Sequence, residues 1–250
     1  MARNSAAVKC SECTVRRLCL PAGLPEPDLE RLEALTGARL TVKSGEALYR
    51  AGDPFHNLYA IRSGSFKCSV LSADGDVQVT NFALPGELLG LDAYSTRCHP
   101  SFARALEDSS VCVFPFAQLE VLAQQIPALQ QQIYALFSEE LRQENEILLL
   151  LGKRSANVRL AALLVNISSR YARRGYSASR FVLSMPRTDI ANYLGLTAET
   201  VSRLFSAFQR DGLLRVSGRD VEILDIIALS ELAGTHFVCD ENAVGRAVNL

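Results

Sequence analysis

One change of pattern constrains this chain more than any other feature: at Pro127 the spacing of its apolar residues switches from that of strands to that of a helix. From about Leu40 to Phe116, short runs rich in Val, Leu, Phe and Tyr are punctuated by Gly45, Gly52, Gly64, Gly75, Gly86 and Gly90. Glycine-bounded runs of this kind read as many short strands joined by turns, which predicts a compact antiparallel barrel or roll. Beyond Pro127, Leu129, Ile133, Phe137, Leu141, Leu148 and Leu151 recur at spacings of three, four and seven with polar residues between them. That periodicity predicts one long amphipathic helix with a coiled-coil-like seam, able to pair with its own copy in a homodimer. Glu144 stands where the seam Phe137, Leu141, Leu148, Leu151 calls for an apolar residue.

The chain is long enough, at 250 residues with 48% apolar residues, to bury ordinary cores. Its longest aliphatic run, Ile147 to Leu151, is far short of the roughly 20 residues of a spanning helix, and the N-terminus lacks an apolar signal region. The expectation is a cytoplasmic protein with no membrane partner. In that reducing compartment the seven cysteines are expected as metal ligands or free thiols rather than disulfides.

The charge is unevenly spread. Between Gly152 and Arg219, twelve Lys and Arg face only Asp189, Glu199 and Asp211, in a chain whose net charge is −1. A basic segment beside an acidic one fits a phosphate-binding module attached to a separate sensor, although a charge run is also what any solvated face shows. Within the basic segment, a helical stretch from Ser155 to Ala172 precedes two further helices around the turn Leu194-Gly195-Leu196. On the second of these, with Thr197 as a good N-cap, Val201, Leu204, Phe205 and Phe208 form one inward face. Glu199, Ser202, Arg203, Ser206 and Arg210 lie on the other. An exposed carboxylate and arginine near a helix N-terminus are equipped for the major groove, where Arg pairs with guanine and Glu accepts from the cytosine amino group. Two strand-like runs, Leu213 to Val216 and Val221 to Leu224, follow as a hairpin through Gly218. The segment therefore reads as a winged helix-turn-helix for double-stranded DNA.

The N-terminal 20 residues have little apolar periodicity but carry Cys10-x2-Cys13-x5-Cys19 with no interleaved histidine. Soft thiolates at this spacing suit zinc or an iron-sulfur cluster, and either needs a fourth ligand from elsewhere. Cys68, Cys98, Cys112 and Cys239 are the candidates, and spacing alone leaves both the ligand and the metal open. Cys112, within Ser109-Ser110-Val111-Cys112-Val113-Phe114, also fits an ordinary small core residue.

Five stretches carry a family resemblance over nearly the whole length. They are Cys10-Ser11-Glu12-Cys13 with Cys19, Leu58-Tyr59-Ala60-Ile61-Arg62-Ser63-Gly64, His99-Pro100-Ser101-Phe102-Ala103, Asn192-Tyr193-Leu194-Gly195-Leu196-Thr197, and Glu199-Thr200-Val201-Ser202-Arg203. On these the chain resembles the fumarate-and-nitrate-reduction regulators of the CRP-FNR superfamily. The resemblance implies an α+β chain divided into a cysteine-bearing cluster loop (1–20), a β-roll sensor domain (21–126), a dimerisation helix (127–153), a winged helix-turn-helix domain (154–235) and a tail (236–250). It implies a 4Fe-4S cluster on Cys10, Cys13, Cys19 and Cys112, base reading by Glu199, Ser202 and Arg203, and a palindrome of TTGAT-type half-sites. Dimerisation would run through Ile133, Phe137, Leu141, Glu144, Leu148 and Leu151, and the loop at Gly75-Asp76 resembles the family's contact with RNA polymerase.

The sister branch of the superfamily binds cyclic AMP and needs a Gly-Glu pair followed by an Arg-Ser. Gly86-Glu87 is present, but Pro100-Ser101-Phe102-Ala103 stands where Arg-Ser-Ala belongs and Arg104 is out of register, so no cyclic nucleotide is expected. Ala198, where that branch carries a further base-reading arginine, points the same way. An enzyme is not expected either: His56, His99 and His236 are scattered, with no acid-base pair or phosphate loop. The alternative is a regulator of the same build with a structural zinc or a small-molecule effector and no response to oxygen.

Overall fold

The structure is a computed structural model, and residues 9–36 and 39–234 are described. Cys239, His236 and the tail 236–250 lie outside the described residues. Two short 3-10 turns, Cys10–Glu12 and Arg16–Leu18, carry the first cysteines, and α1 (Glu26–Leu35) follows. Pro27 in the first turn and the acidic Glu26 and Asp28 suit its N-terminus, while Leu29 and Leu32 are its buried face.

Eight strands build the roll: β1 (Leu40–Val42), β2 (Ala47–Tyr49), β3 (Asn57–Ser63), β4 (Phe66–Leu71), β5 (Val77–Ala83), β6 (Leu88–Leu89), β7 (Phe102–Ala105) and β8 (Ser109–Pro115). They form two four-stranded sheets, ordered β1-β8-β3-β6 and β2-β7-β4-β5, and every pairing is antiparallel. Gly64 shows why glycine punctuates these runs. It has φ +80°, and a Cβ there would meet Ser109 Oγ at 2.1 Å, so any other residue would force strands β3 and β8 apart.

Helix α2 (Phe116–Gln125) and the 27-residue α3 (Pro127–Lys153) follow. One core gathers Leu20, Leu24, Leu32, Leu58, Phe114, Leu119 and Leu129 together with Cys19 and Cys112, and Ile133, Leu136 and Phe137 of α3 pack against it. The first part of the predicted seam thus faces the chain's own roll, because the sheet leaves an apolar surface that α3 covers. Leu141 and Leu148, further along, are 60% and 67% exposed.

The remaining elements are α4 (Ala156–Arg173), β9 (Arg180–Val182), α5 (Arg187–Leu194), α6 (Ala198–Arg210), β10 (Leu214–Ser217), β11 (Asp220–Ile223) and α7 (Ile226–Ala233). The hairpin β10-β11 is joined by β9 into a three-stranded sheet ordered β10-β11-β9. Asp225 caps α7 by accepting the Ala228 N–H at 2.9 Å. The chain divides into two compact units, Met1–Gly152 with Leu183–Ala198, and Lys153–Val182 with Glu199–Leu250. Helix α5 therefore belongs to the same compact unit as the roll.

Candidate metal centre and nucleic-acid interface

The cysteines of the N-terminal turns are not solvent loops. Cys10 and Cys19 are buried, and Cys13 is partly so. Cys19 shares a core with Cys112, which sits on β8 opposite Ala60 of β3. The docking of the turns is close: a Cβ on Gly86, at the β5-β6 turn, would meet Leu18 Cβ at 2.9 Å and Val15 Cβ at 3.4 Å. Ser11 N–H donates to Glu33 Oε1 of α1 at 2.8 Å, and Gln132 Nε2 of α3 donates to the Cys19 carbonyl at 3.3 Å.

Electrostatics tie the four thiols to one another. Burial pushes the Cys10 thiol up to about 12, reinforced by Cys112, Glu33 and Cys13 and opposed by Arg62. Burial likewise raises Cys19, with Cys10, Cys112 and Cys13 adding to it. Cys112 is raised by burial and by Cys13, against Arg62 and Arg39. Burial thus holds Cys10, Cys19 and Cys112 toward the neutral thiol, and binding a metal there would have to displace their protons. Among the described residues no three His, Cys, Asp or Glu side chains gather closely enough to hold one metal ion. Cys10, Cys19 and Cys112 are buried and Cys13 partly so, with the Glu33 carboxylate acting on Cys10, and a thiol set of this kind suits either an iron-sulfur cluster or zinc.

Among the described residues, the two cysteines outside this set lie elsewhere. Cys68 is on β4 in the other sheet, partly buried against a second core, and Cys98 bridges Pro54 ahead of β7. The Arg104 side chain donates to the Gly45 carbonyl, and Ser101 Oγ donates to Asp92 Oδ2. At the Gly86-Glu87 turn, Glu87 Oε2 accepts the Leu84 N–H at 3.0 Å. The Gly75-Asp76 turn is exposed and is closed by Asp76 N–H to Ser72 Oγ at 3.1 Å.

Helix α5 ends on Gly195 with φ 62°, in the left-handed region, and the Leu196 N–H returns to the Ala191 carbonyl. On α6, Val201, Phe205 and Phe208 are buried, while Glu199, Ser202 and Arg203 are exposed. Glu199 and Arg203 form an ion pair one turn apart, each 74% exposed. In the wing, the Val216 N–H donates to Gln209 Oε1 at 3.0 Å and Arg215 pairs with Glu222 at 2.6 Å.

The sequence reading missed α1, α2, β9 and α7, and with them Glu33. Pro25-Glu26-Pro27-Asp28 ahead of Leu29 and Leu32 is a legible helix start. No local signal marks Gln132, a polar residue in an amphipathic helix, as a partner of the cysteine loop.

An eight-stranded antiparallel roll, a long helix and a winged helix-turn-helix with an exposed basic and acidic recognition face define a DNA-binding transcription regulator of the Crp-like class. Residues 39–126 match the Cyclic nucleotide-binding domain family and residues 158–232 match the Crp-like helix-turn-helix domain family. The chain is 46% identical over 229 residues to the Anaerobic regulatory protein of Pasteurella multocida, covering 92% of this chain and 84% of that one. It is 44% identical over 228 residues to the Fumarate and nitrate reduction regulatory protein of Escherichia coli K12, covering 91% of each. The solved structure of FixK2 from Bradyrhizobium japonicum superposes with a TM-score of 0.72 at 32% identity, over 78% of this chain and 96% of that one. The chain belongs to the fumarate and nitrate reduction regulators of the CRP-FNR superfamily. Among the described residues no helix is long and apolar enough to cross a membrane.

Proposed function

We propose that this protein is an oxygen-responsive, cytoplasmic transcription regulator that holds a 4Fe-4S cluster on Cys10, Cys13, Cys19 and Cys112. With the cluster intact it binds a palindrome of TTGAT-type half-sites as a homodimer, and it releases DNA when oxygen destroys the cluster. The observation that carries this reading is that Cys19 and Cys112 share one buried core, that Cys10 and Cys13 act electrostatically on Cys19, and that Gln132 of α3 reaches the Cys19 carbonyl. The cluster supplies an oxygen-labile cross-link between the N-terminal turns and β8. The chain's own residues do the rest. Gln132 and the core contacts of Ile133 and Phe137 tie α3 to the loop that the cluster orders. Leu141, Glu144, Leu148 and Leu151 then meet their copies along the exposed part of the seam, and the two α6 helices reach successive turns of the major groove. The exposed Gly75-Asp76 turn serves contact with RNA polymerase.

Cyclic nucleotide plays no part in this reading. The Gly86 turn is covered by Val15 and Leu18, and Arg104 is engaged with the Gly45 carbonyl. The first favours a sensor closed by the cysteine-bearing turns, and the second leaves Arg104 engaged within the roll.

Purification under argon followed by iron and acid-labile sulfide analysis tests the proposal. Four of each per chain are expected, with anaerobic DNA binding abolished by serine at any of Cys10, Cys13, Cys19 or Cys112 and retained with serine at Cys68, Cys98 or Cys239. Zinc without sulfide, or a cluster kept without Cys112 and lost without Cys98, would overturn it.

A further inference from the structure

Cys112 lies on a strand with a neighbour on each side, and both neighbours bring an arginine to it. In the order β1-β8-β3-β6, β8 is flanked by β1 and β3. Leu40 pairs with Val111, so one step further along the antiparallel register sets Arg39 opposite Cys112. On the other side Ala60 pairs with Cys112, and the register slips between Ile61 and Ser63, making Arg62 the extra residue of a bulge. A bulge re-aims the side chain it carries.

Arg39 Nε and Arg62 Nη1 are both buried without a hydrogen-bond partner. A buried N–H left without a partner is costly, the more so on a charged group, so two on the strands flanking Cys112 call for an acceptor. Both guanidiniums act electrostatically on Cys112, and Arg62 also acts on Cys10. Glu33 acts on Cys10 with the contrary sign while accepting the Ser11 N–H.

Building on the cluster reading above, we infer that Arg39 and Arg62 are positioning residues for the cluster. Their orphaned N–H groups donate to its sulfurs, and their charge, set against Glu33, raises its reduction potential and slows its loss in air. Four thiolates with a cubane core leave the site net negative, and net charge and hydrogen bonds to sulfur are what set the potential of such centres. When an electron passes from the site to dioxygen, the site becomes one unit more positive. Two adjacent guanidiniums oppose that change and one carboxylate favours it.

The test compares Arg62→Gln, Arg39→Gln, their Lys counterparts and Glu33→Gln with the wild type. Each full-length protein is assayed under argon for iron and sulfide, titrated for its midpoint potential, and then followed by visible absorbance in air-saturated buffer. The Gln variants of the arginines are expected to shift the midpoint negative and shorten the half-life in air several-fold. The Lys variants are expected to lie nearer the wild type, and Glu33→Gln to move the midpoint the other way. A role in packing alone would not give shifts that follow the sign of the charge removed. Clusters retained by Lys but not Gln variants would support the inference. Full occupancy with an unchanged midpoint in both Gln variants, or loss of the cluster from folded Lys and Gln variants alike, would overturn it. A wild-type protein without iron and sulfide would instead overturn the cluster reading itself.

Discussion

Lys67 Nζ lies 2.7 and 2.8 Å from the two carboxylate oxygens of Asp189, joining β4 to α5 across 122 positions of sequence. The side chains are only 23% and 16% exposed. Beside the pair, the Asn192 amide stands in for a missing strand on the sheet edge β5. Its Oδ1 accepts the Val79 N–H at 2.6 Å and its Nδ2 donates to the Val77 carbonyl at 2.7 Å. The edge is thereby blunted, and the first helix of the helix-turn-helix is held in the compact unit of the roll.

Asp189→Ala is therefore expected to cost about 1 to 2 kcal/mol, between the values for exposed and buried pairs, since it strands a half-buried ammonium. Lys67→Met combined with Asp189→Ala is expected to cost less than the sum of the two. Denaturant melts of the double-mutant cycle give the coupling, and hydrogen exchange at the α5 amides reads the release of the helix directly. Strict additivity with unchanged exchange would argue against the clasp.

His99 provides a pH dependence. It is 2% exposed, stacks on Tyr49 with ring centroids 3.8 Å apart, and has a buried Nδ1 without a hydrogen-bond partner. Burial lowers its pKa below 6.5, although Asp92 and Asp53 pull the other way. Above pH 6.5 both folded and unfolded forms are neutral, so its contribution to stability is fully present. Below 6.5 the unfolded chain takes a proton that the folded chain resists, and that contribution is lost as the pH falls. Thermal melts from pH 7.5 to 5 are expected to fall less steeply for His99→Phe, which keeps a ring in the stack, than for the wild type. Parallel slopes would refute this.

On the recognition helix, the Glu199–Arg203 pair is open to water on both sides and contributes little to stability. Its components are free to exchange one another for base edges. Arg203→Ala is expected to leave the melting temperature nearly unchanged, weaken binding to a TTGAT-type palindrome, and relax preference at one base pair by about 1 to 3 kcal/mol. Arg173→Ala, if it touches phosphate, is expected to act equally on all sequences. Titrations against a panel of half-site variants at one salt concentration separate the two.

Glu144 is exposed on α3 between the exposed Leu141 and Leu148, while nearby Arg142 is engaged with Glu139 and Glu146. In a parallel pair of helices Glu144 meets its own copy, and two carboxylates brought together across the axis repel and lose hydration. Glu144→Ala is expected to dimerise and bind DNA in air without a cluster. Sedimentation of the aerobic, metal-free variant at micromolar concentration checks this, and a monomer would count against such a brake.

The elements that were legible in the sequence rest on near-neighbour physics. Helical spacing beyond Pro127, the glycine-punctuated strands, Gly195 at the helix end and the inward face Val201, Phe205, Phe208 all reflect geometry repeated within a turn or a strand. Even there, one periodic face served two surfaces: Ile133 and Phe137 pack on the chain's own roll, while Leu141 and Leu148 do not. Only tertiary structure decided that Val15 and Leu18 close over Gly86, that Gln132 reaches the Cys19 carbonyl, and that β9 completes the wing. It alone placed Arg39 and Arg62 on either side of Cys112, through the order of strands and a bulge. The reason is one of range: a periodic pattern records which face of an element avoids water, whereas a single polar group gains a partner only when distant strands and helices have packed, and its own sequence neighbours carry no trace of that choice.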